Sequence, residues 1–291
     1  MKSQIPDSCV VCDGNQFQFL FHHHHRWMVQ KCRTCEMVQV MPRPNTGEVT
    51  ALYAHDDAHF DPYRDQIPVH RMYFQSKIAE IVASWQSDAV LHRKRRRLLD
   101  VGCAMGVLLE EAKKSGFIAE GIDMSEASVR TCVKKGFRVV HGSLTTLNLK
   151  KQYDVVTAFE VIEHELNPKK MMQSIYSHLS AGGVVIVTTP GHESVFRTLM
   201  GKWWVGYTHP EHLNFFDEET LKRLMHEVGF HNVFVKKDIA RPFPLSFALK
   251  RAGDYFPTFR MLLEPLSMIA AHFGIRNPVN PWGCIEVIAV K

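Results

Sequence analysis

The chain has 291 residues, 45% of them hydrophobic and 22% charged, with 17 glycines and 14 prolines. This composition excludes a disordered or fibrous protein, and at about 150 residues per domain the length allows one large domain or two modest ones, with a core that needs no disulfides. Thirty-five basic against 30 acidic side chains leave a net charge of +5, which permits an anionic partner without demanding one.

The first seven residues lack the apolar core of a signal peptide. The nearest approach to a membrane span, Phe256 to Ile275, is interrupted by Arg260, Glu264, Pro265 and His272. The expectation is a cytoplasmic protein without a transmembrane segment, in which cysteines serve a metal rather than disulfides. Cys9-Val-Val-Cys12 and Cys32-Arg-Thr-Cys35 are separated by 19 residues, the spacing of a zinc ribbon. Each pair would grip one side of a tetrahedral Zn2+, and four thiolates leave no open position, so the metal is structural. His22 to His25 fall between the pairs and read as a solvated hairpin tip. Residues 1–45 therefore form a zinc ribbon, ending at Pro42-Arg-Pro-Asn45.

Residues 46–96 read as a helical linker or lid, with Met72, Ile78, Ile81, Val82 and Trp85 at roughly helical spacing. Tyr53, Tyr63 and Tyr73 would fold over a bound ligand or dock the ribbon. Arg93-Lys-Arg-Arg-Arg97 is the one strong basic run, and it reads as a solvated entry to the first strand or as a phosphate contact. From residue 97 short β-branched runs alternate with amphipathic helices, the pattern of βα units around a mostly parallel sheet. Strands are predicted at 97–101, 118–122, 137–140, 153–159, 183–189, 230–236 and 284–290. Helices are predicted at 107–115, 126–135, 168–180 and 217–228, with Asp217 capping the last. A helical insertion at about 238–280 separates the last two strands. Its apolar stretch 256–275 would cap a pocket or rest on a membrane surface.

Leu98-Leu-Asp-Val-Gly-Cys-Ala-Met-Gly106 follows a strand and opens a helix, a geometry that turns backbone N–H groups toward a ligand. Ala104 and Val107 occupy positions where a dinucleotide fingerprint needs glycine, so a nicotinamide enzyme is excluded. Asp123 ends the next strand, where a carboxylate accepts ribose hydroxyls. With these residues the chain resembles the class I S-adenosylmethionine-dependent methyltransferases. Tyr153-Asp-Val-Val-Thr-Ala-Phe-Glu-Val-Ile-Glu-His164 and Ala181-Gly-Gly-Val-Val-Ile-Val-Thr-Thr-Pro190 continue the resemblance, which spans roughly residues 70–291. It implies a Rossmann-like, seven-stranded, mostly parallel sheet with helices on both faces and the last strand reversed, in a methyltransferase domain at 97–291. It also implies that Asp100, Gly102, Cys103 and Gly106 cradle the methionine part of S-adenosylmethionine. By the same resemblance Asp123 holds the ribose, Met124 and Ser143 flank the adenine, and Phe159 and Glu160 sit beside the methionine part.

Methyl transfer needs an aligned acceptor and often a base for its proton. Glu160, Glu163 and His164 lie within one turn, and some ubiquinone-pathway O-methyltransferases of similar sequence hold a divalent ion with such a cluster. The alternative is that Glu160 positions the cofactor and His164 packs. The aromatic stretch Trp203 to Phe216 contains Tyr207, His209 and His212 at the carboxyl end of the sheet. His209, His212 and His164 are the candidate catalytic histidines, because imidazole titrates near neutrality. The resulting expectation is a methyltransferase for a small molecule or a glycan or lipid precursor, acting at oxygen. The alternative is a ribosomal-RNA base methyltransferase. Against it stand the modest charge and the lack of an Asn/Asp-Pro-Pro-aromatic motif.

Overall fold

The structure, a computed structural model, describes residues 8–23, 27–52, 66–86, 96–147, 149–237, 239, 243–255, 257–273, 276–277 and 283–291. Strands β1 (Phe17–His22), β2 (Met28–Cys32) and β3 (Val38–Met41) form an antiparallel meander that carries the cysteine pairs. Helices α1 (Thr46–Leu52) and α2 (Ile67–Gln86) follow. Alternating βα units come next: β4 (Arg96–Val101), α3 (Val107–Lys114), β5 (Phe117–Asp123), α4 (Glu126–Lys134), β6 (Arg138–His141), β7 (Tyr153–Phe159), α5 (Pro168–His178) and β8 (Leu179–Pro190). After β8 come α6 (Val195–Met200), α7 (Val205–Thr208), the short β9 (Asn214–Phe215), α8 (Glu218–Val228) and β10 (His231–Lys236). The chain then passes through β11 (Phe243–Pro244), α9 (Leu245–Tyr255), α10 (Arg260–His272) and β12 (Arg276–Asn277), and ends on β13 (Cys284–Val290).

The main sheet runs β10-β13-β8-β7-β4-β5-β6. The β4, β5, β6, β7 and β8 pairings are parallel, and β13 is antiparallel to both of its neighbours. Every residue of β7 is buried, as expected of a central strand covered on both faces. Met171, Met172 and Ile175 of α5 and Leu221, Leu224 and Met225 of α8 cover one face. Tyr73, Phe74, Ile78 and Ile81 of α2 and Val107, Leu108 and Ala112 of α3 cover the other. Helix ends follow local chemistry. Asp217 and Thr220 close a capping box on α8, and Gly229 at φ 107 stops it.

The predicted strands and helices of the sheet are present to within a few residues. Met72, read as part of an apolar helix face, is exposed instead, because α2 turns Tyr73, Phe74 and Ile78 to the sheet. Tyr53, Tyr63, His24, His25, the side chain of Trp85 and Arg93 to Arg95 fall outside the described residues. The cysteine meander gains a fourth strand from far along the chain, with Val38 opposite Phe215 and Gln39 opposite Asn214.

A candidate methyl-transfer site at the carboxyl end of the sheet

Three short turns converge where β4, β5 and β6 end. Gly102 and Gly106 take φ 74 and 75, and a Cβ on Gly102 would lie 2.5 Å from Val161 Cγ2, so a side chain there is excluded twice over. Ala104 shares this left-handed region at φ 44, and its N–H donates to Asp123 Oδ2 at 2.7 Å. The other carboxylate oxygen of Asp123 accepts from Ser125 N at 2.8 Å. Gly142 N donates to the Asp123 carbonyl, bringing Ser143 to the same edge, and Met124 lies exposed beside it. Asp100 is buried under the loop and accepts from Thr157 Oγ1 at 2.7 Å. Burial pushes its carboxyl up to about 7, with the charge of Asp123 adding to the effect and Thr157 opposing it. Cys103 turns its sulfur into the core against Gly121 and Cys132, so only its backbone faces the loop. Phe159 packs against Tyr73 and Phe74.

Beside this edge, a turn of 3-10 helix at Ile162–His164 and the segment before β9 form a second constellation. Glu163, His164 and His212 bring ligand atoms within 4.8 Å of one another. His164 Nδ1 lies 3.1 Å from the Glu211 carbonyl, and His212 Nδ1 lies 2.9 Å from the Gly206 carbonyl. A carbonyl only accepts, so each Nδ1 donates to it and each ring is held in one orientation. Burial, together with the charges of His164 and His209, holds His212 well below the usual imidazole range, hence neutral at pH 7. His209 is half-buried, bonds Glu211 Oε1 through Nδ1 at 3.1 Å and stacks on His212.

Of the two readings of Glu160, Glu163 and His164, the ion-holding trio is not the group assembled: Glu163 and His164 lie with His212 instead. Glu160 sits at φ 57, its N–H donates to the Thr188 carbonyl, and its Oε1 accepts from Thr188 Oγ1 at 2.9 Å. Its carboxylate is thereby turned onto β8, and His212 takes its place beside Glu163 and His164.

Two buried side chains hold the constellation from behind. The Arg43 guanidinium donates to the carbonyls of Glu165 (3.0 Å), Leu166 (2.9 Å) and Leu213 (3.0 Å). Asn214 Nδ2 donates to the carbonyls of Ile162 (3.1 Å), Glu163 (3.3 Å) and Glu165 (2.7 Å). Between them they staple the segment carrying Glu163 and His164 to the one carrying His212. Gln39, opposite Asn214 in the four-stranded sheet, reaches the other way. It accepts from Val10 N at 3.0 Å and donates to the Ser8 carbonyl at 3.1 Å, which ties the first cysteine turn to the same framework.

His192, two residues beyond β8, was not singled out from sequence. Its Nε2 forms a short hydrogen bond with the Tyr207 hydroxyl inside a cluster of Trp204 and Phe215. Burial, with the charges of Arg197 and Lys31, pulls this imidazole down to about 3, and burial raises Tyr207 to about 12. Its position directly after Thr-Thr-Pro190-Gly, at the ligand end of a parallel strand, was the signal available.

Cys9, Cys12, Cys32 and Cys35 place their sulfurs within 4.8 Å of one another, with Cys9–Cys35 at 3.4 Å and Cys12–Cys32 at 3.6 Å. A tetrahedral zinc with Zn–S of about 2.3 Å requires edges of about 3.8 Å, so the four thiols fit that ion. Asp13 and Glu36, one residue past each pair, both adopt left-handed φ (59 and 65), which gives the two turns the same shape.

A sequence model of the family described as "Methyltransferase domain" matches residues 72–235. The chain belongs to that methyltransferase family. Among its relatives, the ubiquinone biosynthesis O-methyltransferase of Burkholderia pseudomallei is 26% identical over 212 residues, covering 68% of this chain and 86% of the relative. Its counterpart in Caulobacter is 32% identical over 101 residues, 32% of this chain and 40% of the relative. A SAM-dependent methyltransferase from Archaeoglobus fulgidus superposes with a TM-score of 0.52 at 18% identity, covering 79% of this chain and all of the other. The magnesium protoporphyrin IX methyltransferase of Synechocystis, solved with S-adenosylhomocysteine, superposes with a TM-score of 0.50 at 16% identity, covering 77% and 84%. The enzyme is an S-adenosylmethionine-dependent methyltransferase with the Rossmann-like fold of that class. The cysteine ribbon and the insertion between β10 and β13 lie outside the family match.

Proposed function

We propose that this methyltransferase methylates an oxygen of a small-molecule acceptor held over Glu163, His164, His212 and His209. The observation that carries the reading is the buried Glu163 carboxylate with ligand atoms of His164 and His212 within 4.8 Å, each of these imidazoles being held through Nδ1 on a backbone carbonyl. This is the arrangement by which protein ligands are oriented for a metal. Glu163, His164 and His212 would hold a divalent ion, three ligands that leave room for an acceptor oxygen. Such an ion, when bound, supplies Lewis acidity that favours the deprotonated acceptor.

On the cofactor side, Asp100, Gly102, Gly106, Asp123, Met124, Ser143, Phe159 and Glu160 are assigned to S-adenosylmethionine, with Cys103 contributing backbone only. Asp123, which the Ala104 and Ser125 N–H groups hold at the end of β5, would accept the ribose hydroxyls. When bound, the cofactor supplies a sulfonium methyl whose C–S bond breaks as the acceptor oxygen forms the new C–O bond. His209, half-buried and oriented by Glu211, takes the acceptor proton. The relatives named for ubiquinone biosynthesis agree with an O-methylation.

The test is incubation with methyl-labelled S-adenosylmethionine and a host extract separated into RNA, lipid and small-molecule fractions. Base-stable ether label in the small-molecule or lipid fraction is the expected result. Label confined to RNA would overturn the reading in favour of a base methyltransferase.

A further inference from the structure

Helix α10 turns one face inward and leaves the rest of its apolar surface to solvent. Ala270 is buried, and Ser267 Oγ donates to the Ser246 carbonyl of α9, fixing the inner side. Phe259, Leu262, Leu266, Ile269 and Phe273 recur every three or four residues on the outer side, each between 50% and 71% exposed. Met261 and Met268 widen the stripe at 87% and 72%. An apolar surface this continuous marks an interaction site rather than ordinary surface.

The charge of the segment's sequence selects the partner. From residue 241 to 276 the sequence carries Arg241, Lys250, Arg251, Arg260 and Arg276 against Asp254 and Glu264, so three of the five net positive charges fall on this stretch. Glu264, the one acid on α10, lies 3.7 Å from Arg260. With 13 residues the helix is about 20 Å long, too short to cross a bilayer core of about 30 Å. No described helix is long and apolar enough to span a membrane. A short helix with an apolar outer face, in a segment of net positive sequence charge, suits the plane of an anionic bilayer surface.

The insertion also leaves and returns at the reactive end of the sheet. Ile239 N donates to the Cys284 carbonyl at 3.0 Å, Cys284 pairs with Pro190, and its sulfur lies 3.9 Å from Glu160 Oε2. We propose that the outer face of α10 docks the enzyme on an anionic membrane surface, seating the acceptor side of the sheet next to the bilayer. The consequence that the acceptor is collected from that bilayer rests on the function proposed above; the docking itself does not.

Flotation of the full-length, zinc-loaded protein with phosphatidylcholine vesicles containing a quarter phosphatidylglycerol tests the docking. The expected result is binding about tenfold or more tighter than to phosphatidylcholine alone, and weakened by salt. The triple variant Leu262→Asp, Leu266→Asp, Ile269→Asp should bind these vesicles about a hundredfold more weakly while keeping its affinity for S-adenosylmethionine by calorimetry. Retained cofactor affinity shows that the variant is folded, and it tests the methyltransferase reading separately from the docking. Wild-type protein that stays with the vesicle-free fraction, or a triple variant that floats as well as wild type, would overturn the proposal. So would a concentration-dependent dimer that the triple variant abolishes without any vesicle binding, since a second copy would then cover the face.

Discussion

In the cofactor half of the site, Gly102, Ala104, Gly106 and Asp123 come from one strand-turn-helix unit and the strand beside it, and their bonds join residues close in sequence. The acceptor half is assembled from afar. Arg43 bonds carbonyls 122 to 170 residues away, Asn214 bonds carbonyls about fifty residues back, and Gln39, opposite Asn214, bonds the first cysteine turn. A locally built site survives loss of its distant supports, whereas one made by long-range staples fails with any of them. The ribbon is therefore best understood as part of the wall behind Glu163, His164 and His212.

This contrast orders the perturbations by size. Removing a cysteine ligand, as in Cys9→Ala, should cost most, because zinc binding contributes on the order of 10 kcal/mol to folding of such modules. Limited proteolysis and a melting curve should show the ribbon lost, together with imidazole signals of His164 and His212. A ribbon that melts without disturbing those histidines would break the comparison. Arg43→Met removes three hydrogen bonds made by one buried guanidinium, although the Glu165 and Leu213 carbonyls keep Asn214 Nδ2 and Val40 N as donors, and it should lower stability by about 3 kcal/mol in chemical denaturation. Its affinity for S-adenosylmethionine should stay within about twofold of wild type if the halves are separable.

Asp123→Ala probes the other half, with an expected loss of cofactor affinity of about a hundredfold by calorimetry, equivalent to about 2.7 kcal/mol. Unchanged affinity would remove the ribose assignment. The last effect concerns pH, and per pH unit it is the smallest. The folded protein holds His192 near 3 against the ordinary 6.5, so below 6.5 the unfolded chain binds a proton that the folded one refuses. Its contribution is complete above about pH 6.5 and falls on acidification toward pH 3, by up to about 1.4 kcal/mol per unit. His192→Gln should flatten that acid limb in a stability-versus-pH series, and an unchanged slope would contradict the assignment.

The same distinction explains what the sequence made legible. The strands from 97 onward, the Asp217 cap, the cysteine spacing and the glycine loop are written in residues close together, where period, capping and turn chemistry act directly. The pairing of β3 with β9 is not, since nothing in Val38-Gln39 or Asn214-Phe215 alone announces a partner 175 residues away. Local spacing also could not choose between the two readings of Glu160. Its spacing places it on one turn with Glu163 and His164, but its left-handed φ and the Thr188 contacts redirect the carboxylate. His212 was visible as a histidine in a suggestive loop, yet its company with Glu163 depends on Asn214 and Arg43, contacts that no local pattern encodes.

The central claim is that one half of the site binds the methyl donor and the other governs its transfer. His212→Asn addresses it most directly, with calorimetry of S-adenosylmethionine and label transfer into the responsive extract fraction measured on the same preparation. Donor affinity within about twofold of wild type with transfer reduced about a hundredfold or more is the predicted result. Transfer near the wild-type rate, or loss of donor binding in parallel with activity, would contradict it.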